Sequence, residues 1–176
     1  MIIYSTKFKD LKILKLQKYQ DYRGNLIKVL DRKNKSLKFN CYESYLSCSK
    51  KGVVRGLHGQ TGKFSQAKII FCVKGKILDV AVDLRKNSKT YSKVFKKVIS
   101  SKNLLAIFIP KGFVHGVVIL EKDTVLLSLN SSEYYPKKEF GINMKSINLK
   151  FPKLRLIFSA KDKKLENLDQ FISNKK

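Results

Sequence analysis

The sequence has few of the residues that build disulfide frameworks and zinc centres. Its 176 residues contain three cysteines, Cys41, Cys48 and Cys72, which is an odd number without CxxC spacing. This pattern favours free thiols in a reducing compartment over paired disulfides or a zinc site.

Long apolar runs are also missing from the chain. No run approaches the roughly 18 residues that a membrane-spanning helix requires, so we expect no membrane partner. The first 17 residues carry too many charged side chains for the apolar core of a signal peptide. We therefore expect a cytoplasmic protein, and its length predicts a single domain over residues 1–176.

Acidic residues are scarce, because 13 Asp and Glu face 38 Lys and Arg and leave a net charge of +25. Such an excess is typical of nucleic-acid-binding proteins. However, only five of the basic residues are arginine, which is favoured for planar recognition of phosphates and bases, and the lysines are spread along the chain. We therefore expect no nucleic-acid partner, although the positive potential would attract an anionic substrate.

Histidine occurs twice, as His58 in RGLHGQ and His115 in IPKGFVHGVV. A scarce side chain that titrates near neutral pH is a candidate proton carrier. From the residues alone, each histidine fits a packed core position as well as a catalytic one. The pair does not predict a metal centre, because an HxH pattern is absent and position 60 is Gln60.

Strand patterns dominate what is present. Residues 77–84 alternate between two faces, and similar apolar runs recur at roughly 10–12-residue spacing, which predicts an antiparallel sandwich or barrel. The expected strands are 26–30, 67–73, 77–84, 94–100, 104–109, 114–120 and 124–129. The short Lys74-Gly75 link predicts a hairpin. Helix is expected only over residues 160–171, with Ser159 as its cap.

His58 follows a strand-like segment, GVVRGL, over residues 52–57, and Lys68 opens the next predicted strand. In an antiparallel barrel, neighbouring strands can direct side chains into one opening. A histidine base, a cation (Lys68 or Arg55) and an orienting carboxylate there would suit proton abstraction next to a carbonyl. The spacing alone, however, favours Lys68 as a solvated strand residue.

Several blocks together resemble the dTDP-4-dehydrorhamnose 3,5-epimerase family. They are RGLHGQ, QAKIIFCVKGKILDVAVDLRKNSKTYSKV, IPKGFVHGVVIL, YYP and SAKD, in this order over about residues 21–171. The resemblance implies an all-β, cupin-type antiparallel β jelly roll with short peripheral helices and a C-terminal helical segment. It also implies a homodimer in cytoplasmic nucleotide-sugar synthesis for surface polysaccharide, with no metal and no redox cofactor.

The resemblance implies an epimerase of a nucleotide-linked 4-keto-6-deoxy sugar that inverts C3, C5 or both through an enolate. By position in the blocks, His58 would be the base, Asp162 in SAKD its orienting carboxylate, and Lys68 the cation that stabilises the enolate oxygen. The implied substrate-binding residues are Arg23, Arg55, Gln60, His115, Tyr134 and Tyr135, with the two arginines on the diphosphate.

The chain departs from the family pattern in two regions. Aligned on Tyr134-Tyr135-Pro136, the family's tyrosine acid falls on Leu129, which cannot donate a proton. In the nucleotide pocket and next to RGLH, the usual residues are replaced by Leu26, Lys28, Glu43, Tyr45 and Gly59. These changes leave two alternatives open: a single-centre epimerase of a GDP-linked keto-sugar such as a heptose, and a catalytically silent cupin that binds a nucleotide sugar.

Overall fold

A computed structural model describes residues 1–31 and 37–174 of the chain, and these residues are dominated by β structure. The strands are β1 Ile2–Ser5, β2 Lys12–Lys15, β3 Lys18–Asp21, β4 Gly24–Ile27, β5 Glu43–Ser49, β6 Val53–Gln60, β7 Lys68–Lys74, β8 Lys76–Asp83, β9 Val94–Ser100, β10 Leu105–Ile109, β11 Phe113–Ile119, β12 Thr124–Asn130, β13 Glu139–Gly141 and β14 Ile157–Phe158. The helices are α1 Ala160–Lys163 and α2 Leu168–Ser173, with short 3-10 turns at Gly62–Phe64, Pro136–Lys138 and Met144–Ser146.

Two sheets make up the body of the fold. The first has the strand order β1-β2-β10-β7-β12-β5, and the second has the order β13-β6-β11-β8-β9, with β14 added beside β6. From β5 to β8 the chain passes from one sheet to the other at every strand. This arrangement confirms the expected antiparallel jelly roll with short peripheral helices.

The Lys74-Gly75 link does not form the predicted hairpin. β7 pairs with β10 and β12, whereas β8 pairs with β11 and β9, so the link crosses between the sheets. Gly75 makes this crossover with a φ of +86°, and a Cβ there would collide with the Thr124 side chain. A glycine of positive φ suits both a tight hairpin and such a crossover, which is why the local signal misled.

Both faces of the alternating segment 77–84 are buried. Ile77 and Ala81 belong to the core between the sheets. Val80 and Val82 pack on the outer side of the second sheet, in a cluster that also contains Ile142, Ile147, Leu149, Leu168 and Phe171 from the C-terminal part of the chain. The alternation therefore marks two cores rather than one buried and one solvated face.

The C-terminal helical segment forms as two short helices. The Ser159 hydroxyl accepts a hydrogen bond from the Asp162 backbone N–H at 3.0 Å, which confirms Ser159 as the cap of α1. The chain leaves the helical path after Lys164, and α2 then begins with a capping box at Asn167.

The strand expected over residues 26–30 lies nearer the N-terminus than predicted, because β4 spans Gly24–Ile27.

Every helix within residues 1–31 and 37–174 falls short of the length and apolar character that a membrane crossing requires.

Over the same residues the three cysteines are free, and Cys72 is buried.

Candidate active site

Two adjoining cavities open between the sheets, with volumes of about 440 Å³ and about 310 Å³. Of the residues that the structure describes, three line both cavities: His58 on β6 of the second sheet, and Tyr45 and Lys68 on β5 and β7 of the first. Ile70 and Leu126 of the interior core also line the larger cavity. The site is therefore the end of the sandwich interior where apolar packing stops and polar side chains face one another.

His58 is held by a carboxylate from the C-terminal segment. Its Nε2 lies 2.7 Å from Oδ1 of Asp162, across 104 residues of sequence. The α1 helix begins at Ser159 and buries Asp162 to 5% exposure, which favours a stable orientation of the imidazole. When Nε2–H donates to this carboxylate, Nδ1 carries the free lone pair and is the basic nitrogen of the neutral ring.

Lys68 opens β7, as predicted, and its ammonium lies in a polar niche. Nζ donates to Oε1 of Gln66 at 2.8 Å and to Oδ1 of Asn130 at 3.2 Å. Burial lowers the pKa of Lys68 to about 8. Nδ2 of Asn130 is buried and lacks a hydrogen-bond partner within the described residues. The junction thus offers cationic and amide donors for a developing oxyanion.

Glu139 lies next to His58 and contacts Tyr134 and Lys161. Its Oε1 lies 3.7 Å from Nδ1 of His58, while Oε2 accepts from the Tyr134 hydroxyl at 2.8 Å and contacts Nζ of Lys161. Although burial opposes it, the hydrogen bonds from Lys161 and Tyr134 hold the pKa of Glu139 below its usual value. The Glu139 hydrogen bond in turn raises the pKa of Tyr134.

Gln60 lines the smaller cavity, and its side-chain amide forms hydrogen bonds with the backbone of two segments, one at Phe64 and one at residues 133–135. Nε2 donates to the carbonyls of Phe64 and Glu133 at 2.8 and 2.9 Å, and Oε1 accepts from the backbone N–H of Tyr135 at 2.6 Å. The Tyr135 ring stacks on Phe64 with centroids 4.1 Å apart. Tyr134 lines the smaller cavity, whereas Tyr135 lines neither cavity.

Arg55 and His115 both line the larger cavity. Nε of Arg55 donates to the Ser49 hydroxyl at 3.1 Å. His115 is the cross-strand partner of His58, and its Nε2 lies 2.8 Å from Oδ2 of the fully buried Asp79. His115 is therefore both supported from behind and exposed to the cavity.

Arg23 is not brought to these cavities within one chain. It lies in the β3–β4 hairpin, ion-paired to Asp21 at 2.6 Å and largely exposed. Arg23, Leu26 and Lys28 line a surface groove that is separate from the two cavities.

Leu129 does not face the site, which corrects the expectation that it stands in the place of a catalytic acid. Its side chain is buried in a cluster with Leu14 and Ile69. On β12 the residues that line the cavities are Leu126, Ser128 and Asn130. The alignment on Tyr134-Tyr135-Pro136 was therefore misleading, since a shift of one residue along a strand exchanges its two faces. Ser128 and Asn130, the two neighbours of Leu129, face the cavities, and neither carries a phenol.

The absence of a side chain at Gly59 does not enlarge the site. A Cβ at this position would lie 3.0 Å from the Phe140 ring and 3.1 Å from Val114, so neighbouring side chains already occupy the space.

Several residues of the site escaped the sequence analysis: Gln66, Ser128, Asn130, Glu139 and Lys161. The alternation S-L-N at residues 128–130 was the available signal for two of them. Within the described residues, no group of three or more His, Cys, Asp or Glu side chains is gathered in a way that could hold a metal ion.

Comparison with known proteins agrees with this geometry. The model of the dTDP-4-dehydrorhamnose 3,5-epimerase family matches residues 5–170. The dTDP-4-dehydrorhamnose 3,5-epimerase of Escherichia coli K12 is 32% identical over 98% of this chain and 97% of its own length. The crystal structure of the enzyme of that name from Elizabethkingia anophelis is 32% identical, covers 97% of each chain and has a TM-score of 0.88.

A third protein adds a ligand to the comparison. The dTDP-6-deoxy-D-glucose-3,5-epimerase of Legionella pneumophila, solved in complex with dTDP-4-keto-L-rhamnose, is 28% identical. It covers 98% of this chain and 95% of its own, with a TM-score of 0.90. With a family match over nearly the whole chain and relatives above 30% identity, this chain belongs to the dTDP-4-dehydrorhamnose 3,5-epimerase family.

Proposed function

We propose that this chain is an isomerase that epimerises a nucleotide-linked 4-keto-6-deoxy sugar at C3 and C5, with dTDP-4-dehydrorhamnose chemistry as the expected reaction. The observation that carries the proposal is the His58–Asp162 pair at the junction of two cavities, with Lys68 reaching the same junction from the opposite sheet. Family membership supports the substrate class.

The chemistry begins at the C4 carbonyl, which acidifies the hydrogens on C3 and C5. Nδ1 of His58 takes one of these protons, and the electron pair of the broken C–H bond moves onto the C4 oxygen as an enolate. Asp162 stabilises the imidazolium that forms, as carboxylates do in other His–Asp pairs. The Lys68 ammonium stabilises the enolate oxygen, where a fixed charge lowers the barrier.

The larger cavity suits the diphosphate of the substrate. Arg55, His115 and Lys161 line it together with His58 and Lys68. Arginine binds phosphate oxygens in a bidentate manner, and the chain's net charge of +25 favours the approach of an anionic substrate.

Proton NMR in D2O tests the reaction directly. The wild-type protein and the His58→Ala variant are incubated with a panel of dTDP- and GDP-linked 4-keto-6-deoxyhexoses and keto-heptoses. We expect deuterium at both C3 and C5 with wild type and at neither with the variant. Deuterium at one centre only, or only with a GDP-linked heptose, would replace the 3,5-epimerase by the single-centre alternative. Binding without any exchange would favour a silent cupin.

We also propose that the protein acts as a homodimer in the cytoplasm. The β3–β4 hairpin supports this assembly, because it projects Tyr19, Tyr22 and Leu26 into solvent and carries Arg23 away from the site of its own chain. Light scattering after size-exclusion chromatography tests the assembly, and a monomer mass at micromolar concentration would overturn it. Fractionation of cells of the source organism tests the location.

A further inference from the structure

Inversion of a carbon centre requires two groups on opposite faces of the sugar ring. One removes the proton, and the other returns a proton to the face opposite. His58 approaches from the second sheet. The donor that completes inversion must therefore come from the first sheet, which forms the other wall of the site.

Tyr45 meets this requirement. It lies on β5 of the first sheet and, besides His58 and Lys68, is the one residue in the described part of the chain that lines both cavities. Its side chain is 47% exposed, so the phenol can exchange protons with water. Its cross-strand partner on β12 is Ser128, whose small side chain leaves room beside the ring.

The other nearby hydroxyl groups do not meet it. Tyr134 donates to Glu139, which also lies beside His58, so this phenol is on the side of the base. Tyr135 is stacked on Phe64 and lines neither cavity. Ser47, Ser128 and Ser159 line the larger cavity, but an alcohol is a far weaker acid than a phenol, whose pKa is about 10.

We propose that Tyr45 is the acid that protonates the enolate on the face opposite His58. The proposal rests on the proposed epimerase function. The Tyr45 O–H bond breaks and leaves its electron pair on the phenolate oxygen. The electron pair of the enolate C=C bond takes the proton to form the new C–H bond, and an electron pair on the enolate oxygen restores the C4 carbonyl. The Tyr45 phenolate then takes a proton from water, and the His58 imidazolium loses its proton to water.

The test separates proton exchange from inversion in the Tyr45→Phe variant. NMR in D2O with the substrate that wild type accepts reports both events at each centre. Without the phenol, the enolate can only be reprotonated from the His58 side, and His58 is 32% exposed and able to exchange with D2O. We expect deuterium with retained configuration and a fall in inversion of about 100-fold or more, the usual contribution of a general acid.

Tyr42→Phe is the matched control, since Tyr42 is an exposed tyrosine three residues earlier that lines neither cavity. We expect it to invert at the wild-type rate, and an equal loss in this variant would overturn the assignment. Inversion at the wild-type rate by Tyr45→Phe would also overturn it, as would loss of exchange together with inversion. Failure of the epimerase function itself would look different, because wild type would then show no exchange.

Discussion

The charge state of Lys68 leads to a testable dependence of catalysis on pH. Burial lowers its pKa to about 8, and only the ammonium form can stabilise the enolate. The protonated fraction is then about nine-tenths at pH 7 and about one-tenth at pH 9. We expect kcat/KM, which reports the free enzyme, to fall about tenfold per pH unit above pH 8.

Two substitutions identify the group responsible. Lys68→Arg keeps a side chain that stays protonated throughout the alkaline range of the assay, so the alkaline fall in kcat/KM should move well above pH 8. Lys68→Met removes the cation, and we expect a loss of about 100-fold or more in kcat/KM near pH 7. An alkaline fall that stays near pH 8 in Lys68→Arg would refute the reasoning, and so would full activity in Lys68→Met.

The expected fall in kcat/KM above pH 8 does not come from unfolding of the protein when Lys68 loses its proton. The unfolded chain keeps the Lys68 proton up to its ordinary pKa of 10.5, whereas the folded protein releases it near 8. Between these values the unfolded state binds more protons, so this group makes the protein more stable as pH rises. The shift corresponds to about 3 kcal/mol between the two charge states. Urea unfolding of wild type and Lys68→Met should therefore converge toward the alkaline end of this window.

Three further predictions concern the His58–Asp162 pair, the Gln60 amide and the stability of the fold in acid. His58→Ala and Asp162→Asn should both lower turnover, the first more severely, since Asp162 acts by orienting and stabilising the ring; an unchanged rate in Asp162→Asn would remove it from the mechanism. Gln60→Leu leaves the Tyr135 N–H and the Phe64 carbonyl without their partner, whereas the Glu133 carbonyl keeps its hydrogen bond from Gln66, and urea unfolding should show a loss of about 2–4 kcal/mol. Asp83 is buried, and hydrogen bonds from Arg85, Ser88 and Thr90 outweigh that burial and lower its pKa to about 2. Its stabilisation should be complete above about pH 4 and lost as pH falls toward 2, and acid titration of Asp83→Asn should lack this component; identical acid profiles would contradict it.

Local patterns were sufficient for the β class and for the positions of β7 to β12. The period-two alternation over residues 77–84 and the apolar runs over 94–100 and 124–129 match β8, β9 and β12 closely. Ser159 was recognisable as a helix cap because the capping interaction is local, between residues three apart.

The tertiary structure decided which strands share a sheet. The Lys74-Gly75 link has the composition of a hairpin, yet it joins two different sheets. Pairing depends on contacts made by distant strands, and the two-residue link carries no information about them. The same is true of the face on which Leu129 lies, since an alignment error of one residue reverses the faces of the whole strand.

The sequence by itself identified the family, and this resemblance singled out His58, Lys68 and Asp162 as candidate site residues. Only the folded chain determined that Asp162 contacts His58 across 104 residues, and that Lys68 lies where burial lowers its pKa. It also determined that Tyr45, rather than a residue on β12, faces both cavities. Side chains meet in a sandwich through sheet order and register, and these properties belong to the whole chain rather than to any local motif.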